Sequence, residues 1–165
     1  MTDFPLATSV SHWLGKFEAA LPAGNGIAEL FHADGHWRDV LALTWRIRTV
    51  SGAKAIQDEL RGIEAHGFRI DPHRTAPRHA TRAGEQCVEA LFRFETRDGV
   101  GAGVLRLKGE KAWTLLTALD ELKGREENVG GRRPKGWSYS RDFAGPNWLD
   151  SRKKKRQFEE AEPAD

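Results

Sequence analysis

The sequence predicts an α+β domain in which three N-terminal helices pack on a curved, mainly antiparallel sheet and enclose a pocket. Two observations carry this. Apolar residues recur at three- and four-residue spacing in three segments ahead of Gly67, the period of a helix with one buried face. From Gln86 the period drops to two and Gly-containing turns separate the runs, as in a meander of strands. Helices gathered ahead of such a meander cover one face of it. A sheet curled around helices that do not fill it leaves a cavity, a common place for a small ligand.

The first helix spans residues 9–21. Ser9 or Ser11 caps it, Val10, Trp13, Leu14, Phe17 and Leu21 form its stripe, and Pro22-Ala23-Gly24-Asn25-Gly26 breaks it. A shorter second helix runs through Ile27, Leu30 and Phe31 and stops at Asp34-Gly35. Between His36 and Val50, β-rich residues predict two short strands with a break near Leu41–Leu43. Ser51-Gly52 opens a third helix, striped by Ile56, Leu60 and Ile63 and closed by Gly67. Strands follow at Phe68–Arg74 and Pro77–Ala83, and proline marks the first as an edge. Gln86–Thr96 alternates Val88, Ala90, Phe92 and Phe94 against Glu89, Arg93 and Glu95. Asp98-Gly99 is a hairpin turn into Val100–Lys108, and Gly109-Glu110 turns into Ala112–Leu122.

Residues 8–122 therefore form the pocket domain and residues 123–165 a connector or tail. The charge divides at the same point. The net +2 conceals a nearly neutral first part, and the tail holds the whole basic excess, much of it in Arg152-Lys153-Lys154-Lys155-Arg156. The domain itself offers no basic stripe, which weighs against nucleic acid. Trp137, Tyr139, Phe143, Trp148 and Leu149 make the tail too aromatic for a disordered linker, so it is expected to dock on something. Asn147 is a candidate cap for a last helix through Phe158. No stretch approaches the ~20 apolar residues of a membrane span, and the start lacks the pattern of a signal peptide. The single cysteine, Cys87, lies in an alternating apolar run and reads as a buried small hydrophobe. These features point to the cytoplasm.

Several segments in order carry a resemblance. Trp13–Leu21, Ala28–Phe31, Asp34–Asp39 and Val50–Ile56 resemble the NTF2-like (SnoaL-like) superfamily, whose cone-shaped fold holds a pocket. Trp37–Trp45, Lys111–Leu119 and Glu121–Gly124 resemble, more narrowly, the N-terminal domain of bacterial flavin-containing monooxygenases. Asn147–Asp150 is similar to the connector ahead of the first FAD-binding strand in those enzymes. The chain ends at Asp165, where that family begins its flavin-binding strand and glycine loop. The resemblance thus implies no cofactor in this chain, with FAD and NADPH entering only through a downstream flavoprotein part.

Asp39 is the candidate catalytic residue. Alternation sets Trp37, Asp39 and Leu41 on one face, and the resemblance to ketosteroid isomerase-like members puts Asp39 where their general base stands. The position matching their oxyanion tyrosine is Phe17, so the hydroxyl donor is missing. The alternative role for Asp39 is structural, accepting a bond from Trp, Arg or backbone. Phe17, Trp37, Asp39, Trp45, Phe92, Phe94 and Trp113 are the expected pocket residues, although large aromatics serve equally as core. Arg46 and Arg48 could meet an anion or pair with Glu89, Glu95 or solvent. His32, Asp34 and His36 look metal-like on paper, but Gly35 interrupts the helix that would align them and no metal is expected. Gly99–Gly103 lies in a hairpin and is no dinucleotide loop; Gly101 and Gly103 share a face and suit sheet bending or close backbone approach.

Three functions follow. The chain is expected to be a small-molecule pocket and interaction module accessory to a flavin-dependent monooxygenase, not catalytic as an isolated chain. It would hold a small apolar or aromatic molecule and contact a flavoprotein domain. The alternatives are a stand-alone SnoaL- or ketosteroid isomerase-like enzyme using Asp39, and a homodimerisation scaffold working through its exposed sheet face.

Overall fold

Period-two runs become strands where one face is buried against helices, and seven strands form among the described residues. The computed structural model describes residues 4–133 and 147–156. Two compact units divide the chain, residues 1–126 and 127–165. The first contains α1 (Phe4–Ala20), a 3-10 turn (Ala28–Leu30), β1 (Phe31–Val40), β2 (Ile47–Ser51) and α2 (Ala53–Leu60). It continues with β3 (Ala65–Ile70), β4 (Arg78–Arg82), β5 (Glu85–Thr96), β6 (Gly99–Lys108) and β7 (Lys111–Leu122). One sheet runs β2-β1-β7-β6-β5-β3, and β4 shares with β3 the outer edge of β5. All pairs are antiparallel except β1 with β7. α1 packs on β3 and α2 on β1. The fold is therefore α+β, as its patterning predicts, with helices on one face of a mainly antiparallel sheet.

Three N-terminal helices are not present. The second is a single 3-10 turn, and Phe31 already begins β1, so Asp34-Gly35 lies within a strand. Strand pairing with β7 overrides the helical spacing of Ile27, Leu30 and Phe31. The register with β7 slips between Phe31 and His36, a bulge that absorbs Gly35. A Cβ on Gly35 would lie 3.0 Å from the His32 carbonyl and 3.2 Å from that of Ala112, a tight fit that favours glycine in the bulge. The third helix ends at Leu60, not Gly67; Gly62 and Gly67 both take positive φ, and Gly67 sits in β3. α1 begins at Phe4, which leaves Ser9 and Ser11 inside the helix.

Inside the first unit, the aromatic stripe of α1 meets the inward residues of the sheet. Trp13 stacks on Phe17 at 5.0 Å between ring centroids. Phe17 meets Phe68 edge-on at 5.4 Å, and Phe68 stacks on Phe94 at 4.8 Å, with Phe92 beside both. Phe92 and Phe94 pair across strands with Gly103 and Gly101. Their rings occupy the space that Cβ atoms on those glycines would need, so β6 presents bare backbone to two phenyl faces.

The second unit contains a 3-10 turn (Gly130–Arg132) and α3 (Trp148–Arg156). The Asn147 side-chain oxygen accepts from the amides of Leu149 and Asp150, and the Asp150 carboxylate accepts from the Asn147 amide. This reciprocal cap starts the helix where the sequence places it. Phe158, Trp137, Tyr139 and Phe143 lie outside the described residues. Among the described residues, no helix is long and apolar enough to cross a membrane.

Candidate functional site

β1 delivers Asp39 inward, fully buried beside Trp37. Its carboxylate is occupied on both oxygens. Oδ1 accepts from the Thr117 hydroxyl at 2.7 Å and from the Leu43 amide at 3.2 Å. Oδ2 accepts from the amides of Leu43 and Thr44, at 3.1 and 2.8 Å, and from the Thr44 hydroxyl at 2.8 Å. Thr117 in turn accepts from the Trp37 indole N–H at 3.0 Å. The result is a closed network tying β1, β7 and the loop 41–46. A buried carboxylate that receives this many donors is held as an acceptor, with no lone pair directed at empty space. Leu41 does not continue the inward face: it turns to a φ of 62°, and Trp45 to 54°, left-handed values that cost a non-glycine residue. The loop keeps them because its amides close on Asp39.

The expected pocket residues separate into two groups. Phe17, Trp37, Phe92 and Phe94 lie in one core, each at most 1% exposed. Phe31 and Phe68 join them there, and the rings of Phe17, Phe31 and Phe68 meet edge-on. Trp45 is not brought to that core; it is 52% exposed on the loop after β1. Trp113 lies at a register slip of β7 with the Lys108 ammonium 4.1 Å from its ring centroid. Phe68, Thr44 and Thr117 were not singled out from sequence. The two threonines reach Asp39 only through the loop and a strand 78 positions away, which no local pattern announces.

Surface cavities open elsewhere. One of about 170 Å³ lies between α1, the first 3-10 turn and the turn joining β6 to β7, lined by Ser9, His12, Trp13, Lys16, Glu29 and Leu30, with Leu107, Glu110 and Lys111 opposite. A hollow of about 250 Å³ on the outer sheet face is bounded by Leu91, Val104, Leu116 and Ala118. Ser9, His12, Trp13 and Lys16 follow the i, i+3, i+4, i+7 spacing of one helix face, a signal present in the sequence.

The outer face also carries an ionic cluster. Glu89, 6% exposed, faces away from the core and accepts from Arg82 through both nitrogens of its fork, from Arg78 at 3.0 Å and from Arg106 at 2.9 Å. The Arg82 bonds first, then those of Arg106 and Arg78, hold its carboxyl at about 2, against the opposing effect of burial. Arg48 pairs with Glu59 of α2 in a two-pronged bridge and not with Glu89 or Glu95. His32 meets the Lys108 carbonyl and His36 the Ser51 hydroxyl, and among the described residues no three potential metal ligands gather. Leu119, Phe94 and Phe92 lie over the Gly99, Gly101 and Gly103 backbone. Cys87 is buried and directs its thiol to the Ala80 carbonyl.

No family model matches the sequence, and no curated protein matches it. Solved structures do. A steroid Δ-isomerase from Pseudomonas aeruginosa is 16% identical, with 73% of this chain and 85% of that one covered and a TM-score of 0.45. An LEH-like epoxide hydrolase from M. tuberculosis is 15% identical over 69% and 84%, with a TM-score of 0.40. An NTF2-like protein of unknown function from Mesorhizobium loti is 9% identical over 69% and 93%, with a TM-score of 0.44.

Proposed function

We propose that this chain is a non-catalytic, NTF2-like module that holds a small molecule and docks through its outer sheet face, serving as an accessory to a flavin-dependent monooxygenase. One observation carries the non-catalytic reading: the carboxylate of Asp39 is fully buried and accepts from Leu43, Thr44 and Thr117 on both oxygens. A general base needs its lone pair within reach of a substrate proton. Phe17, buried in that core, supplies no hydroxyl for an oxyanion. The accessory role draws on the words Trp37–Trp45, Lys111–Leu119 and Asn147–Asp150, and FAD and NADPH belong in this reading to the flavoprotein partner. A second copy of the chain is the proposed occupant of the outer face. There Leu91, Ala102, Val104, Leu116 and Ala118 form a half-buried apolar strip bordered by charges that are paired within the chain, Arg78 and Arg106 with Glu89, Asp120 with Arg93 and Glu95 with Lys123.

Turnover assays with a ketosteroid and an epoxide test the central claim. The parent chain is expected to show no rate above buffer. A rate that Asp39→Asn removes while the protein keeps its fold by circular dichroism overturns it.

A further inference from the structure

The outer sheet face holds a third acid whose partners differ from those of Asp39 and Glu89. Asp71 follows β3 and continues its pairing, its amide donating to the Leu91 carbonyl at 3.0 Å, so it stands across from Leu91 on that face. The register carries the same row through Val104 of β6 to Leu116 of β7. With strands ~4.8 Å apart, the row runs roughly 14 Å from the acid to the last leucine. Leu91, Val104 and Leu116 are half-buried, and beside them the short side chains of Ala102 and Ala118 leave the hollow of about 250 Å³. Asp71 lines one end of it and is itself 6% exposed. Its Oδ1 accepts from the His73 amide at 2.9 Å. Oδ2 has no hydrogen-bond partner among the described residues and is not sealed from solvent. Both oxygens of Asp39 and of Glu89 are occupied, so this open acceptor beside an apolar floor stands apart from them.

We propose that this hollow binds a small apolar molecule ending in a hydroxyl, of the alkylphenol class. The body lies along Leu91, Val104 and Leu116, where contact removes apolar surface from water. The hydroxyl donates to Asp71 Oδ2. A neutral donor is favoured over an ammonium because Arg74 lines the same hollow without an ion pair among the described residues, and Arg93 is the next outward residue after Leu91 on β5. The volume of about 250 Å³ exceeds the engineered cavity of about 150 Å³ that admits benzene, leaving room for a ring and a short chain. The inference deepens the reading of a ligand-holding module and rests on it only for the premise that a small molecule is held; Asp39 plays no part. Leu91, Val104 and Leu116 also belong to the strip assigned to a second copy, so ligand and copy meet on one face.

The test is a carbon-13 methyl NMR titration of the full chain with 4-propylphenol, 4-propylanisole and 4-phenylbutylamine, following the Leu91, Val104 and Leu116 methyl groups. 4-Propylphenol is expected to shift all three saturably. The methyl ether, which cannot donate, should bind roughly ten-fold more weakly, the contribution of one hydrogen bond to a charged group, and the amine should also bind more weakly than the phenol. Asp71→Asn keeps an acceptor for the His73 amide and should erase the preference for phenol over ether. Ala102→Leu, at a half-buried position of β6, should fill the hollow and abolish the shifts even if the Asp71 variant does not fold. Absence of shifts with 4-propylphenol, equal binding of the ether, binding of the amine as tight as the phenol, an unchanged preference in folded Asp71→Asn, or unchanged affinity in folded Ala102→Leu each overturns the proposal. Binding by a parent that sediments as a monomer supports this site and removes only the second copy, and none of these results bears on turnover in Asp39→Asn, so the readings fail separately.

Discussion

Two carboxylates on opposite faces of one sheet show how the same residue type is held by different partners. Asp39 faces inward and receives amides and hydroxyls; Glu89 faces outward and receives three guanidinium groups. Asp39→Asn retains one acceptor oxygen and can donate to Thr117, so it should cost about 1–2 kcal/mol in urea unfolding. Asp39→Ala leaves the Leu43 and Thr44 amides without a partner and should cost about 3 kcal/mol or more. For Glu89, the folded carboxyl titrates at about 2 against an ordinary 4.5, so its contribution is complete above the ordinary value and lost as pH falls through that window. The unfolding free energy should therefore drop between pH 4.5 and 2 by about 2–3 kcal/mol, and in Glu89→Gln much less. A slope as steep in the variant would refute the assignment. The inward direction of Asp39 was legible, because alternation from buried Trp37 carries it. Its donors were not, since Thr117 arrives from β7 and Thr44 through a loop with two left-handed residues. The rim of His12 and Lys16 also escaped, because the apolar stripe beside it explained the helix so well.

At the scale of elements, the meander from β5 to β7 was legible because its alternation, its glycines and its turn residues agree. The facing of Gly101 and Gly103 could be read from period two alone; that Phe94 and Phe92 lie over them depends on the β5–β6 register. Gly103→Ala puts a methyl group into the Phe92 ring and the Leu116 carbonyl, and should destabilise by roughly 1–3 kcal/mol or more, measured by thermal unfolding. Phe92→Ala in the same background relieves only the ring overlap, so partial rescue is the expected sign of this cause. The second helix was misread because three apolar residues over five positions fit a helix and a strand entry equally. What decided it was the parallel pairing of β1 with β7, a contact no window of adjacent residues contains.

For the molecule as a whole, association through the outer face is the property to measure. Leu116→Lys places an ammonium in the centre of the proposed apolar strip, and sedimentation at two concentrations should find this variant a monomer and the parent, if the proposal holds, a dimer. A parent that sediments as a monomer at both concentrations removes the second copy from the account. The position of β7 between β1 and β6 has a consequence for how the chain reaches its fold. Trp37 finds its hydrogen-bond acceptor 80 positions later, and the sheet cannot close on its first strand until its last one exists. Closing so long a loop carries an entropy that early contacts do not repay. During synthesis, a nascent chain halted before residue 111 should remain protease-sensitive throughout α1 and β1, and protection should appear abruptly once β7 has left the ribosome.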